Sequence, residues 1–223
     1  MPPMEQNKAN SANPNKQPFD VVLASASPRR RRLLKEAGVV FSVFEQKVDE
    51  SLDADLQAHP DQAVQRLAER KAGAAVQDIL ASDYTGMVIV IGADTMVVCE
   101  GQIFGKPKNL EDGKRMLRAL SGKTHQVHTG VSVWMVKAPQ HENVSLGYRS
   151  FVDTTDVTFK TLSEEQIADY LRMGESFDKA GAYAIQGSGR FLVDHIDGFM
   201  DTVIGLPVKR LFEEFPDLDP SQR

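Results

Sequence analysis

The chain has 223 residues and a formal net charge of −5, with 41% hydrophobic and 26% charged residues. This composition is typical of a globular protein with a sizeable core, and it excludes disorder of the whole chain. The acidic balance gives no overall attraction to nucleic acid or to an acidic membrane surface, so an anionic ligand needs a local basic site. The single cysteine, Cys99, excludes an internal disulfide framework and fits a reducing compartment.

The amino terminus has the composition of a solvated tail. Residues 1–18 are rich in Asn, Gln and Pro and lack the apolar centre of a signal peptide. No apolar run approaches the ~20 residues that cross a bilayer. We therefore expect a disordered tail over residues 1–18, one domain over residues 19–217 and a short tail over residues 218–223, in a cytoplasmic protein with no membrane partner.

A strand, a tight turn and a helix open the predicted domain. The apolar run of residues 19–24 favours a strand, and Ser25 lies in the turn that follows it. Ser27 suits the N-cap and Pro28 the first position of a helix that Gly38 ends. The N-terminus of this helix carries free amide groups and a partial positive charge, so a phosphate is its natural occupant.

Four arginines fill the first turns of the same helix. Arg29 and Arg30 lie in the first turn, and because they oppose the helix dipole, an anion is expected to compensate them. Arg31 and Arg32 fit solvated surface charge better.

An aliphatic run at residues 88–95 has no polar alternation, as is typical of a strand covered on both faces in an α/β sheet. The run stops at Gly92 and Ala93 and then presents Asp94. Such sheets bind ligands beyond the carboxyl ends of their strands, so Asp94 is a candidate cleft residue. A turn residue that caps the next element is the alternative.

A β-hairpin is predicted directly after Asp94. Two β-rich runs flank Glu100 and Gly101, which form a two-residue turn ending in glycine. In this register Thr95 faces Lys106, which brings the carboxylate and the lysine to the same mouth.

The remaining patterns complete an α/β arrangement. Strands over residues 126–136 and 150–160 form an extended antiparallel hairpin, which is a candidate for a second lobe or a dimer contact. The other predicted elements are a strand over residues 39–44, helices over 61–80, 109–120 and 163–174, a strand over 191–196 and a last helix over 205–215.

Four charged residues are candidates for the chemistry. Glu50, Lys71, Asp94 and Lys106 each fall in a loop, at a strand end or on a helix face rich in small residues. Together with the arginine pair they match a magnesium-assisted reaction at a polyphosphate, because hard oxygen ligands hold the metal and cations neutralise phosphate charge. From spacing alone, a set of surface salt bridges is the alternative.

Other signals are weaker. His125 and His128 are three residues apart on a predicted strand, where they point to opposite faces and do not form a chelating pair. The sequence has neither a P-loop nor the glycine fingerprint of dinucleotide-binding proteins.

Several short motifs follow one another along the chain, at residues 23–30, 49–50, 71–72, 91–95, 105–107, 120–122, 128–131 and 178–183. In content and order they closely resemble those of the Maf family of nucleoside triphosphate pyrophosphatases. The resemblance implies a central mixed, twisted sheet flanked by helices, with a deep ligand cleft between two lobes, often in a homodimer. It also implies hydrolysis of a nucleoside triphosphate to the monophosphate and pyrophosphate with a divalent cation, Mg or Mn.

The resemblance assigns catalytic roles by position. Asp94 resembles the family's proton acceptor, which deprotonates a water for attack on the α-phosphorus. Glu50, Lys71 and Lys106 resemble residues that handle metal and phosphate, with Glu50 and Asp94 as the metal ligands.

The resemblance also implies a substrate class. Arg29, Thr95 and Gln186 match positions that mark the branch acting on dTTP and UTP, as opposed to the branch acting on 7-methyl-GTP, and modified pyrimidine nucleotides are further candidates. We expect the phosphates to lie over the turn that contains Ser25 and Arg30. A Gln amide offers a donor and an acceptor to a pyrimidine.

A different class stays open as the alternative: a nucleotide-binding regulator of cell division with little turnover. The presence of Glu50, Asp94 and Lys106 speaks against it, because a retired active site has no chemical reason to keep all three. A nucleic-acid module is disfavoured by the net charge.

Overall fold

One mixed sheet organises the protein. The computed structural model describes residues 18–138 and 143–222, so residues 1–17 of the tail predicted over residues 1–18 lie outside the described residues. Within them the sheet has seven strands: β1 (Asp20–Ala24), β2 (Ser42–Val43), β3 (Gly86–Cys99), β4 (Gln102–Phe104), β5 (Thr124–Ala138), β6 (Ser145–Phe159) and β7 (Val193–Asp197).

Both strand directions occur in the sheet. Strand β1 is parallel to β2 and β3, whereas β3, β5, β6 and β7 pair in antiparallel fashion. The order across the sheet is β2-β1-β3-β5-β6-β7, and β4 pairs with β3 beside this path. The predicted α/β class with a mixed sheet is therefore confirmed, as is the long β5–β6 hairpin.

Helices cover the sheet. They are α1 (Pro28–Glu36), α2 (Ala54–Ala58), α3 (Pro60–Leu80), α4 (Leu110–Leu120), α5 (Glu164–Arg172), α6 (Met200–Ile204) and α7 (Val208–Glu214). None of the described helices is both long and apolar enough to span a membrane.

Helix α3 approaches the sheet closely where two glycines leave room for its backbone. A Cβ on Gly92 would lie 2.4 Å from the Ala68 carbonyl oxygen, and a Cβ on Gly130 would lie 2.5 Å from that of Val64. These distances are far below a van der Waals contact, so a side chain at either position would displace the helix. The close approach brings Lys71 of α3 to the edge of β3.

The two largest clusters of the buried core form the two lobes of the protein. One cluster packs α1 and α7 against β1 and β3, around Leu23, Leu34 and Leu211. The other packs α4 and α5 against the opposite end of β3 and β5, around Leu117 and Tyr170.

The β3–β4 hairpin has the predicted register. Cys99 pairs with Gln102 around Glu100 and Gly101, which have φ angles of 50° and 75°. Two successive residues of this kind form the tight turn that matches the twist of paired strands. Strand β4 ends at Phe104, so the residues that follow it lie just beyond the ladder.

Two predicted strands are shorter in the structure. The strand predicted over residues 39–44 is reduced to the two residues of β2, because the Val39 amide bonds to the Leu34 carbonyl at the end of α1. The strand predicted over residues 191–196 begins at Val193, because Gly187–Leu192 forms a 3-10 helix.

The carboxyl-terminal part has one helix that the sequence pattern did not predict. Helix α6 has only five residues and is capped by Gly205, with φ 123°. Helix α7 therefore begins at Val208, three residues after the start predicted at residue 205. The Asp201 side chain accepts a hydrogen bond from the Val208 amide at 2.8 Å, which joins the two helices. Leu218 is fully buried, so packing continues to that residue.

Candidate active site

A cavity opens where β3 has a free edge. Strand β1 ends beside Gly92, and β4 pairs with β3 only from Val97 onward. Within the described residues, residues 93–96 therefore have no strand neighbour on this side. Asp94 and Thr95 point to opposite faces of the strand, yet both line the cavity because the gap is open to both faces.

The cavity has the size and charge of an anion site. Its volume of about 660 Å³ falls in the range of small-molecule sites. Five cationic and three anionic side chains line it, so it is locally basic in an acidic protein. All the predicted site residues border it: Ser25, Arg29, Arg30, Glu50, Lys71, Asp94, Thr95, Lys106 and Gln186.

Lys71 joins the two predicted metal ligands. Its Nζ lies 2.7 Å from Glu50 Oε1 and 2.5 Å from Asp94 Oδ1. The side chains of Lys71 and Asp94 are mostly buried, whereas that of Glu50 is about half exposed. The two carboxylates therefore converge on one point, which the ammonium group occupies.

Arg70 holds the loop that carries Glu50. Its Nη1 donates to the carbonyl oxygens of Asp49 and Ser51, at 3.1 and 2.8 Å. Asp49 in turn accepts from the backbone and hydroxyl of Ser51. Neighbouring residues of α3 thus fix the loop from both sides of Glu50.

Glu50 is held as a carboxylate. Partial burial favours its protonated form, but the hydrogen bond from Lys71 and the charges of Lys71, Lys106 and Arg30 outweigh that effect and lower its pKa. A negative carboxylate is the form that a cation requires.

The guanidinium of Arg30 is buried and bonds to three protein groups. Nε donates to the Gly205 carbonyl at 2.7 Å, Nη1 to Ser25 Oγ at 3.3 Å and Nη2 to Thr95 Oγ1 at 3.0 Å. Burial lowers its pKa, an effect that the charge of Asp94 partly offsets. Arg30 therefore orders the turn before α1 and holds Thr95. Asp94 and Thr95 lie within β3, which continues to Cys99, and not at the strand end that the sequence pattern predicted.

Arg29 extends from α1 to the segment before Tyr183. Its Nη1 lies 2.9 Å from Asp178 Oδ2, and Asp178 Oδ1 lies 2.5 Å from Lys179 Nζ. Partial burial raises the pKa of Asp178, but the bonds to Lys179 and Arg29 outweigh that effect and lower it. This ion-pair group lies at the side of the cavity.

Gln186 contacts Arg32, which the sequence pattern had placed among solvated charges. A guanidinium only donates, so the group that faces it is the amide oxygen of Gln186. The amide nitrogen of Gln186 carries the hydrogens that this side chain can donate.

The two histidines of β5 have separate surroundings. His125 is buried, with its Nε2 2.9 Å from the Tyr183 hydroxyl, and burial lowers its pKa to about 4. His128 Nδ1 lies 2.6 Å from Asp61 and 3.0 Å from the Thr154 hydroxyl. Each ring thus contacts its own group of side chains.

Sequence reasoning did not assign roles to three of the charged residues at this site. Arg70 had no signal beyond its place next to Lys71. Asp178 and Lys179 belong to a motif that was recognised for its small residues, and their charges were not used. Asp178 and Lys179 are far from Arg29 in the sequence, and the fold brings them together.

These features define an α/β protein with a basic cavity between two lobes and a paired carboxylate cluster inside it. The model of the family described as "Maf-like protein" matches residues 20–218. The chain belongs to this family.

Two relatives whose names state an activity align with most of the chain. A protein of Bacillus thuringiensis subsp. konkukian named "dTTP/UTP pyrophosphatase" is 43% identical over 194 residues, which is 87% of this chain and 93% of that protein. A protein of the same name from Bacillus cereus strain ATCC 14579 is 42% identical over 199 residues, covering 89% and 95%.

Two solved structures show a weaker similarity. The Ham1 protein of Staphylococcus aureus has a TM-score of 0.38 and 17% identity, covering 66% of this chain and 88% of that one. The nucleoside-triphosphatase / dITP/XTP pyrophosphatase of Mycobacterium abscessus has a TM-score of 0.40 and 9% identity, covering 89% and 94%.

Proposed function

We propose that the protein hydrolyses nucleoside triphosphates to the monophosphate and pyrophosphate, with dTTP and UTP favoured. The observation that carries the proposal is the convergence of Glu50 and Asp94 on Lys71 at the free edge of β3. The relatives named dTTP/UTP pyrophosphatase support the reaction and the substrate class.

The basic side of the cavity would bind the phosphates. The N-terminus of α1 supplies a partial positive charge behind Ser25, and Lys71, Lys106 and Arg29 supply full charges. Arg30 adds its charge from beneath this turn while it holds Ser25 and Thr95 in place. Thr95 and Gln186 remain for the base.

Asp94 would act as the general base. Its carboxylate takes a proton from a water molecule whose oxygen bonds to the α-phosphorus. The bond between that phosphorus and the bridging oxygen breaks, and pyrophosphate leaves with the electron pair. Lys106 and Arg29 would stabilise the charge that develops on the leaving group.

A divalent cation, Mg or Mn, fits the carboxylate cluster. Glu50 Oε1 and Asp94 Oδ1 are hard oxygen donors that reach the same point. In the part of the chain that the structure describes, no group of three or more His, Cys, Asp or Glu residues could hold a metal ion. Two carboxylates suit an ion bound jointly with substrate phosphates, where it would neutralise phosphate charge.

Pyrophosphate release tests the proposal. With Mg, the wild-type protein should release pyrophosphate from dTTP and UTP faster than from CTP or 7-methyl-GTP. Asp94→Asn should lower kcat by about 100-fold or more, because it removes the base. Asp78→Asn, the same change at an exposed position of α3, is the control and should leave kcat unchanged.

Two outcomes would contradict this assignment. Near-normal turnover by a folded Asp94→Asn protein would remove Asp94 from the chemistry. Nucleotide binding without turnover by the wild type would instead support the regulator alternative.

Further expectations belong to the same proposal and stay predictions. They are modified pyrimidine nucleotides as additional substrates, a homodimer, a cytoplasmic location and the absence of nucleic-acid partners. The proposed catalytic domain spans residues 19–217, between a tail over residues 1–18 and a short tail over residues 218–223.

A further inference from the structure

A row of polar side chains crosses three strands and ends at the cavity. Thr95 of β3 is the cross-strand partner of Thr129 of β5, and Thr129 is the partner of Asp153 of β6. Thr129 is fully buried and Asp153 is 8% exposed. Thr95 is the member of the row that lines the cavity.

The Thr129 hydroxyl donates its hydrogen to a group outside the cavity. Thr129 Oγ1 lies 2.7 Å from the carbonyl oxygen of Thr202, which can only accept. Thr129 therefore donates there, and at its 3.0 Å contact with Thr95 Oγ1 it must accept. The Thr95 hydroxyl is the donor in that contact.

Arg30 fixes the other side of the Thr95 hydroxyl. Its Nη2 donates to Thr95 Oγ1 at 3.0 Å, and a guanidinium has no acceptor. The hydrogen bonds from Arg30 through Thr95 and Thr129 to the Thr202 carbonyl begin at a group that only donates and end at a group that only accepts, so all of them point one way. With respect to the residues that the structure describes, Thr95 keeps one free lone pair and no free hydrogen.

Buried contacts hold the Thr202 carbonyl, where these hydrogen bonds end, in place. The Thr202 hydroxyl donates to Asp153 Oδ2, while Asp153 Oδ1 accepts from Arg210 Nη1 at 3.1 Å. Thr202 is fully buried, and these bonds tie α6 to β6. The carbonyl that receives the Thr129 hydrogen is therefore fixed by contacts outside the cavity.

We propose that Thr129 is a positioning residue that makes Thr95 a hydrogen-bond acceptor only, so the site selects a base that donates a hydrogen bond to Thr95. This inference rests on the proposed function, in which Thr95 contacts the base. The N3 position of uracil and thymine carries a hydrogen and donates. N3 of cytosine has a lone pair, which would face the lone pair of Thr95 and leave both without a partner.

Substitution of Thr129 tests the inference through a ratio of rates. We compare kcat/KM for UTP with that for CTP in the wild type, Thr129→Val and Thr129→Ser. Valine keeps the shape and removes the acceptor, so the Thr95 hydrogen can turn towards cytosine N3. The UTP preference should fall by about tenfold or more in Thr129→Val and persist in Thr129→Ser.

A purely structural role would give a different result. If Thr129→Val lowers kcat/KM for both nucleotides and leaves their ratio unchanged, the inference is overturned. An equal preference of the wild type for CTP and UTP would overturn it as well.

A second measurement uses the unaltered protein and so does not depend on how a variant folds. UTP methylated at N3 lacks the donor, and UTP methylated at C5 is the control with the same added group elsewhere. The wild type should lose activity on the N3-methyl compound and keep it on the C5-methyl compound. Equal hydrolysis of both would overturn the inference.

The inference and the proposed function fail in different ways. If the wild type hydrolyses none of these triphosphates, the proposed function fails and the inference with it. Hydrolysis of UTP with either contrary result above overturns the inference alone.

Discussion

Lys71 balances the charges of the cluster before a substrate arrives. Its ammonium group contacts carboxylates from a loop and from a strand, and it lies on a helix that packs over both. Two carboxylates directed at one point would repel each other without a cation between them. A triphosphate with its metal ion brings both charge signs into the same space, so we expect Lys71 to turn towards phosphate when the substrate binds.

Neighbouring arginines of α1 make different contacts, and the sequence pattern did not distinguish them. Arg29 and Arg30 both lie in the first turn, and both were expected to face an anion. Only the fold places the Gly205 carbonyl, from the far end of the chain, where it takes the Nε hydrogen of Arg30. Contacts of that range do not follow from local spacing.

His125 gives a pH-dependent stability that can be measured. Its pKa is about 4 in the folded protein, against a usual value of 6.5, because it is buried. Between these values the unfolded chain binds a proton that the folded protein excludes, so the free energy of unfolding falls as the pH falls from 6.5 to 4. The slope from this group is at most about 1.4 kcal/mol per pH unit.

Denaturant unfolding at several pH values checks this prediction. His125→Gln removes the titrating ring and should give a shallower decline over the same range. His59→Gln, at an exposed histidine, should decline as the wild type does. Identical slopes for all three proteins would show that folding does not lower the pKa of His125, which would contradict the prediction.

Local sequence patterns correctly predicted the helices and hairpins whose formation depends on contacts between residues close in sequence. The β3–β4 hairpin follows from a turn of two residues, and the capping box at Ser163 marks the start of α5 as expected. The same reasoning placed Asp94 and Lys106 at one mouth. It could not show that β1 stops beside Gly92, and that early end opens the edge of β3.

The close packing of helix α3 on the sheet depends on glycine residues in β3 and β5. Gly130→Ala would place a methyl group against the helix backbone, so we expect the free energy of unfolding to fall by about 1–3 kcal/mol. We also expect lower turnover, because α3 carries Lys71. Denaturant melts and pyrophosphate release measure the two effects.

Gly147→Ala is the matched control on the same sheet. A Cβ at Gly147 meets nothing within 4 Å, so its effect should stay within about 0.5 kcal/mol. Equal stability of the two variants would mean that α3 can move away from β5 at no cost.

Charge distribution connects the whole molecule to its proposed substrate. The chain carries a formal charge of −5, while cationic side chains outnumber anionic ones around the cavity. This contrast favours a small polyphosphate, which fits into the cavity, over a nucleic acid, which would also meet the acidic surface. The cavity at the free edge of β3, between the two lobes, is where we expect that substrate to bind.

The position of water attack is the central claim, and isotope labelling tests it directly. The wild-type protein would hydrolyse UTP in water enriched in oxygen-18, and mass spectrometry would locate the label in the products. Attack at the α-phosphorus predicts the label in UMP and none in pyrophosphate. Label in pyrophosphate would place the attack at the β-phosphorus and contradict the role proposed for Asp94.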